Sequence, residues 1–71
     1  MNTARVIEEI EFIKLPEVKK ITGLGTTYIY EKAKEGKFPR QVKLGSRSVA
    51  WVKAEVQEWA KAQIEAARGQ S

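Results

Sequence analysis

Two glycines and a proline fence in the middle of this chain. Gly23, Gly36 and Pro39 punctuate the stretch T-G-L-G-T-T-Y-I-Y-E-K-A-K-E-G-K-F-P at residues 22–39. Glycine readily takes the left-handed conformation that ends a helix, so Gly23 predicts the end of one helix and Gly36 the end of the next. Pro39 has no amide hydrogen and forbids the second helix from resuming. What fits between is a single short helix, from about Thr26 to Glu35. Ile29 and Ala33, four apart, put one apolar stripe along it. Thr27, Tyr28, Glu31 and Lys34 fall on the opposite face. A short helix with a polar outer face, held rigidly on a small body, has the shape of a recognition helix. An ordinary solvated surface helix has that shape too.

The elements on either side give this helix its setting. Residues 1–11 are expected to be a flexible start that becomes ordered near Phe12, with Val6 and Ile10 on one helical face or Ile10 and Phe12 alternating in a short strand. Leu15-Pro16-Glu17 opens a first helix, because proline suits the first helical position and glutamate complements the positive helix end. Leu15, Val18 and Ile21 mark its apolar side, and the pair of helices across Gly23–Gly25 reads as a helix-turn-helix. From Phe38 to Val52 the period changes to two, with Gly45-Ser46 as a turn signal. This predicts a β-hairpin of Gln41–Leu44 and Ser48–Val52, with Val42, Leu44, Val49 and Trp51 facing inward and Lys43 and Arg47 facing water or a partner. A strongly periodic helix follows from about Lys53 to Ala67, with Val56, Trp59, Ala60, Ile64 and Ala67 on one face. Residues 68–71 are expected to fray.

The fold class is therefore α+β: a small winged helix-turn-helix over residues 12–67, with three main helices and a two-stranded hairpin as the wing. The expected core is Leu15, Val18, Ile21, Leu24, Ile29, Ala33, Phe38, Val42, Leu44, Val49, Trp51, Val56, Trp59 and Ala60. Both tryptophans lie in apolar stripes and read as core rather than as platforms for a base.

Several functions are disfavoured by composition. The 71 residues include no cysteine and no histidine, which removes disulfides, zinc sites of the Cys/His kind and imidazole acid–base chemistry. The carboxylate groups Glu8/Glu9/Glu11 and Glu55/Glu58 read as solvated faces, so no enzyme activity, catalytic residue, metal or cofactor is expected. No apolar run is long enough to span a membrane, no signal-peptide core precedes the domain, and the basic hairpin lacks an apolar insertion surface. A soluble cytoplasmic domain is the expectation.

The net charge is +4, and its placement says more than its size. Residues 37–51 hold Lys37, Arg40, Lys43 and Arg47 with no acid, whereas the rest of the chain balances. A local cationic segment beside a polar-faced helix is what a polyanion partner needs.

Read in order, the motifs resemble a known family. L-P-E-V at residues 15–18, T-G-L at 22–24, I-Y at 29–30, E-G-K-F-P at 35–39, K-L-G-x-R at 43–47, Trp51 and E-V-x-x-W at 55–59 match the AlpA-type prophage regulators. These are small winged-helix relatives of phage excisionases and of the MerR-like DNA-binding domain. The resemblance covers residues 12–64. It implies a bacterial, nucleoid-associated protein of a prophage or integrated element that binds double-stranded DNA as a transcriptional regulator, an excisionase, or both. It further implies that the central helix enters the major groove while the hairpin meets the adjacent minor groove or backbone. A phage-type integrase and further copies of the chain on DNA are the partners it suggests.

The candidate DNA-binding set is Thr26, Thr27, Tyr28, Tyr30, Lys34, Lys37, Arg40, Lys43, Ser46 and Arg47. Affinity is expected mainly from Arg40, Lys43 and Arg47 on phosphates, with Lys34 and Lys37 in support. The family's helix begins with a pattern like S-R-S-T-I-Y-R, where this chain has G-T-T-Y-I-Y-E. Thr26 and Glu31 stand in place of basic residues, so the family's arginine contacts do not carry over. Glu31 either accepts from a cytosine amino group or repels phosphate. The alternative from another class is a protein-interaction module for a response regulator or integrase, which exposed Tyr28 and Tyr30 would suit.

Overall fold

The structure, a computed structural model, describes residues 10–69. Its element order is β1 (Phe12–Ile13), α1 (Leu15–Thr22), α2 (Thr26–Lys34), β2 (Val42–Lys43), β3 (Val49–Val52) and α3 (Lys53–Gly69). Most of the expected flexible start, together with Gln70 and Ser71 of the expected frayed end, lies outside the described residues.

Local chemistry explains where the helices stop. Pro16 sits in the first turn of α1, and Gly23 closes that helix at φ 74°, donating its N–H to Lys19 O at 2.7 Å. Thr22 secures the turn: its hydroxyl donates to Val18 O at 2.8 Å and accepts the Leu24 N–H at 3.2 Å. The end of α2 is a Schellman motif. Gly36, at φ 80°, donates to Ala33 O, and the Lys37 N–H reaches back to Lys32 O at 2.8 Å. The chain then turns away through Pro39, as its sequence requires.

The sheet has three strands rather than two, in the order β1-β3-β2, with both pairings antiparallel. Of the two readings of this stretch, a helical face or a short strand, the strand is found, one residue further on at Phe12–Ile13. It pairs Phe12 with Val52 and Ile13 with Trp51, and this register turns Ile13 into the core. The Lys53 N–H donates to Glu11 O at 2.8 Å, so the sheet edge and the start of α3 are tied together.

The core gathers Ile13, Val18, Ile29, Ala33, Phe38, Trp51 and Val56, with Leu15, Ile21, Leu24 and Trp59 packed around it. Each tryptophan has a partner for its indole N–H. Trp51 donates to Pro39 O at 3.2 Å and Trp59 to Lys37 O at 2.8 Å, so both hold the loop after α2. Trp51 meets Tyr30 edge-on at 5.8 Å, and Trp59 meets Phe38 edge-on at 4.8 Å.

One expectation about the hairpin is corrected. Val42 pairs with Ala50 and Lys43 with Val49, so five residues, 44–48, form the loop. An odd-numbered loop sets even residues of β2 against even residues of β3. Val42 therefore shares a face with Ala50, and Lys43 shares one with Val49, Trp51 and Ile13. Val42 and Trp51 cannot both point the same way. Leu44, expected inside, is 47% exposed in the loop, and Ala50, not expected in the core, is buried.

Candidate nucleic-acid interface

The hairpin register decides what the wing presents to α2. Because Lys43 lies on the Trp51 face of the sheet, its side chain comes to the side where α2 packs. There an open cleft of about 530 Å³ separates α2 from the hairpin. Tyr30 and Lys34 line it from α2, Lys43 and Val49 from the strands, and Arg40 and Gln41 from the connecting segment. Gln41 was missing from the sequence-derived set. Its place between Arg40 and Val42 was the available signal, but only the fold shows which way that segment faces.

The cations of the chain divide into tied and untied groups. Lys14, the residue before α1, donates to Ser48 Oγ at 2.8 Å and to Val49 O at 3.1 Å, bracing the hairpin against the first helix. Lys32 and Lys37 both pair with Glu35, at 3.4 and 3.8 Å, and Lys53 pairs with Glu11 at 3.8 Å. Among the described residues, Lys19, Lys20, Lys34, Arg40, Lys43, Arg47 and Lys61 make no ion pair or side-chain hydrogen bond and are exposed, and four of them, Lys34, Arg40, Lys43 and Arg47, lie on α2 or between α2 and β3. Three of these four line the cleft. Mutual repulsion of three nearby cations is unfavourable without an anion, so the cleft is electrostatically prepared for one.

The other candidate residues are distributed around this cleft. Thr26, Thr27 and Tyr28 form the first turn of α2 and are exposed, behind an N-cap glycine, Gly25, that provides no side-chain cap. The Tyr28 ring also carries the Lys32 ammonium at 5.3 Å. Tyr30 is half-turned into the body by its contact with Trp51, so it forms cleft wall rather than a projecting group. Ser46 and Arg47 stand in the exposed hairpin loop and do not line the cleft. Lys37 does not line it either. It lines a second depression on the other side of the 36–42 segment. Glu31 is exposed on α2.

A helix-turn-helix pair with a β-hairpin beside it, separated by a cationic cleft, defines a small winged helix-turn-helix protein. The chain belongs to the AlpA family: the family described as "Prophage CP4-57 regulatory protein (AlpA)" matches residues 11–64. It is similar to the "Uncharacterized protein ORF88" of Enterobacteria phage P4, with 43% identity over 53 residues covering 75% of this chain and 60% of that protein. It is also similar to the "DNA-binding transcriptional activator AlpA" of Escherichia coli (strain K12), with 32% identity over 56 residues covering 70% of this chain and 80% of that protein. The chain thus spans three-fifths of the length of the phage relative and four-fifths of the bacterial one. Among the described residues, no helix is long and apolar enough to cross a membrane, and no cluster of acidic residues could hold a metal ion.

Proposed function

We propose that the chain is a sequence-specific double-stranded DNA-binding regulator of a prophage or integrated element, acting in the bacterial nucleoid as a binding protein rather than an enzyme. α2 enters the major groove, and the hairpin wing follows the neighbouring backbone or minor groove. The observation that carries this reading is the trio Lys34, Arg40 and Lys43, unpaired and converging on the cleft between those two elements. Arg47 at the wing tip supplies a fourth free cation. Phosphates held there fix register, and Thr26, Thr27 and Tyr28 at the start of α2 read base edges or shape. Lys37, already paired with Glu35, contributes little. The printed name of the Escherichia coli relative supports a role in transcription. Control of excision, with copies loading side by side and touching a phage-type integrase, is the other role open to the same DNA-binding surface.

A fluorescence anisotropy titration tests this reading, using duplexes from the element's upstream region and from its attachment site. Four neutralised phosphates predict a slope of log affinity against log salt near about −3.6. Preference for the upstream duplex assigns transcriptional control, and preference for the attachment site assigns excision. No salt-dependent binding to either duplex overturns the proposal. The free cations favour this reading over a protein-interaction module, which needs no such cleft.

A further inference from the structure

α2 carries one acid, Glu31, and it stands where the helix points furthest from the body. Ile29 and Ala33 are the buried residues of α2, so the direction midway between them points at the core. At about 100° per residue, Glu31 lies about 180° from that direction, on the crest of the outer face. Lys34, which lines the cleft, falls about 60° to one side of Glu31, and Lys32 about 100° to the other. Glu31 is exposed, and among the described residues it makes no ion pair or side-chain hydrogen bond, although Lys34 stands one turn further on. The next acid, Glu35 at the helix cap, is held by Lys32 and Lys37. Lys32 also lies over the Tyr28 ring. The crest of α2 is thus a free carboxylate with a cation on either flank.

That order of charges suits a major groove, where phosphates line the rims and the floor shows base edges. With α2 in the groove, its flanks face the rims, where Lys34 meets phosphate, and its crest faces the floor. An ionised carboxylate only accepts hydrogen bonds, and the donors on the floor are the cytosine N4 and adenine N6 amino groups. Adenine sets its N7 acceptor beside N6, against the second carboxylate oxygen. Guanine and thymine show Glu31 only acceptors. We infer that Glu31 selects a cytosine in the bound site, its carboxylate accepting an N–H from the N4 amino group. This assignment rests on the DNA-binding proposal and adds the identity of one base to it. A sequence that leaves the carboxylate facing acceptors is rejected, so Glu31 lowers non-specific affinity and raises discrimination together.

The test enriches duplexes from a randomised library with the full chain, with Glu31→Ala and with Glu31→Gln. The position is exposed and both replacements are good helix formers, so the three circular dichroism spectra should coincide. The native chain is expected to enrich a motif with a fixed cytosine that Glu31→Ala leaves unselected, the other positions being shared. Changing that C·G pair to T·A should weaken the native chain about tenfold, the size of a single mismatch, and should leave Glu31→Ala unaffected. Glu31→Gln, whose amide matches adenine N6 and N7 together, should admit adenine there. The inference is overturned if Glu31→Ala keeps every position of the native motif and binds all duplexes more tightly, because Glu31 then only repels phosphate. It is equally overturned if the T·A duplex binds the native chain as well as the C·G duplex does. Absence of salt-dependent binding by the native chain to any duplex is a separate result, which fails the DNA-binding proposal and this assignment with it.

Discussion

Trp51 shows how much one side chain does in a domain this small. It is fully buried, faces Ile13 across the sheet, touches Tyr30 from below, and ties Pro39 through its indole N–H. Trp51→Ala should cost about 3–5 kcal/mol. A 71-residue domain has roughly 4–11 kcal/mol in total, so urea denaturation followed by circular dichroism should show about a quarter of the stability or more gone. A loss under about 1 kcal/mol would mean that the residue does not organise the core. Tyr28 is the contrasting case, nearly half exposed in the first turn of α2 and absent from the core. Tyr28→Ala should leave the unfolding midpoint unchanged and reduce the ratio of specific to non-specific DNA affinity. Competition titrations against random-sequence duplex measure that ratio, and an unchanged value would remove Tyr28 from the reading face.

At the scale of elements, glycine and proline explain why so much could be read in advance. Gly23, Gly36 and Pro39 act locally, so the bounds of α1 and α2 follow from the residues at their ends. α2 runs Thr26–Lys34 with Glu35 as its cap, one residue from expectation. Gly36→Ala tests that logic. A Cβ there meets nothing within 4 Å, so any cost comes from φ 80° alone and should be about 1–2 kcal/mol by thermal unfolding. A neutral substitution would show that the Schellman turn can be replaced cheaply. The sheet was less legible because its geometry is not local. Alternation in β2 and β3 shows which residues of one strand share a face, but the loop length decides which faces meet. That misplaced Val42 and Leu44, and it hid that Lys43 turns toward α2. β1 was legible only as one of two readings, a helical face or a short strand at Ile10 and Phe12, because two residues become a strand only when β3 is there to pair with them.

For the molecule as a whole, the charge of the 37–51 segment was legible as composition, but its division into working and occupied cations was not. Lys37 was ranked below Arg40 as a supporting cation, and it lies 3.8 Å from Glu35 and lines the other depression rather than the cleft. Conversely, Lys34 belongs to a helix segment with no net charge and still joins the cleft. The fold of this chain therefore brings Lys34, Arg40 and Lys43 to one cleft and leaves Lys37 on a separate groove. The most direct test of that cleft compares the salt dependence of DNA affinity for the native chain and for the triple variant Lys34→Ala, Arg40→Ala, Lys43→Ala. The slope should fall from about −3.6 to about −0.9, leaving Arg47 as the remaining phosphate contact, while the circular dichroism spectrum stays the same. Equal slopes for a folded variant would contradict the assignment of the cleft to the DNA backbone.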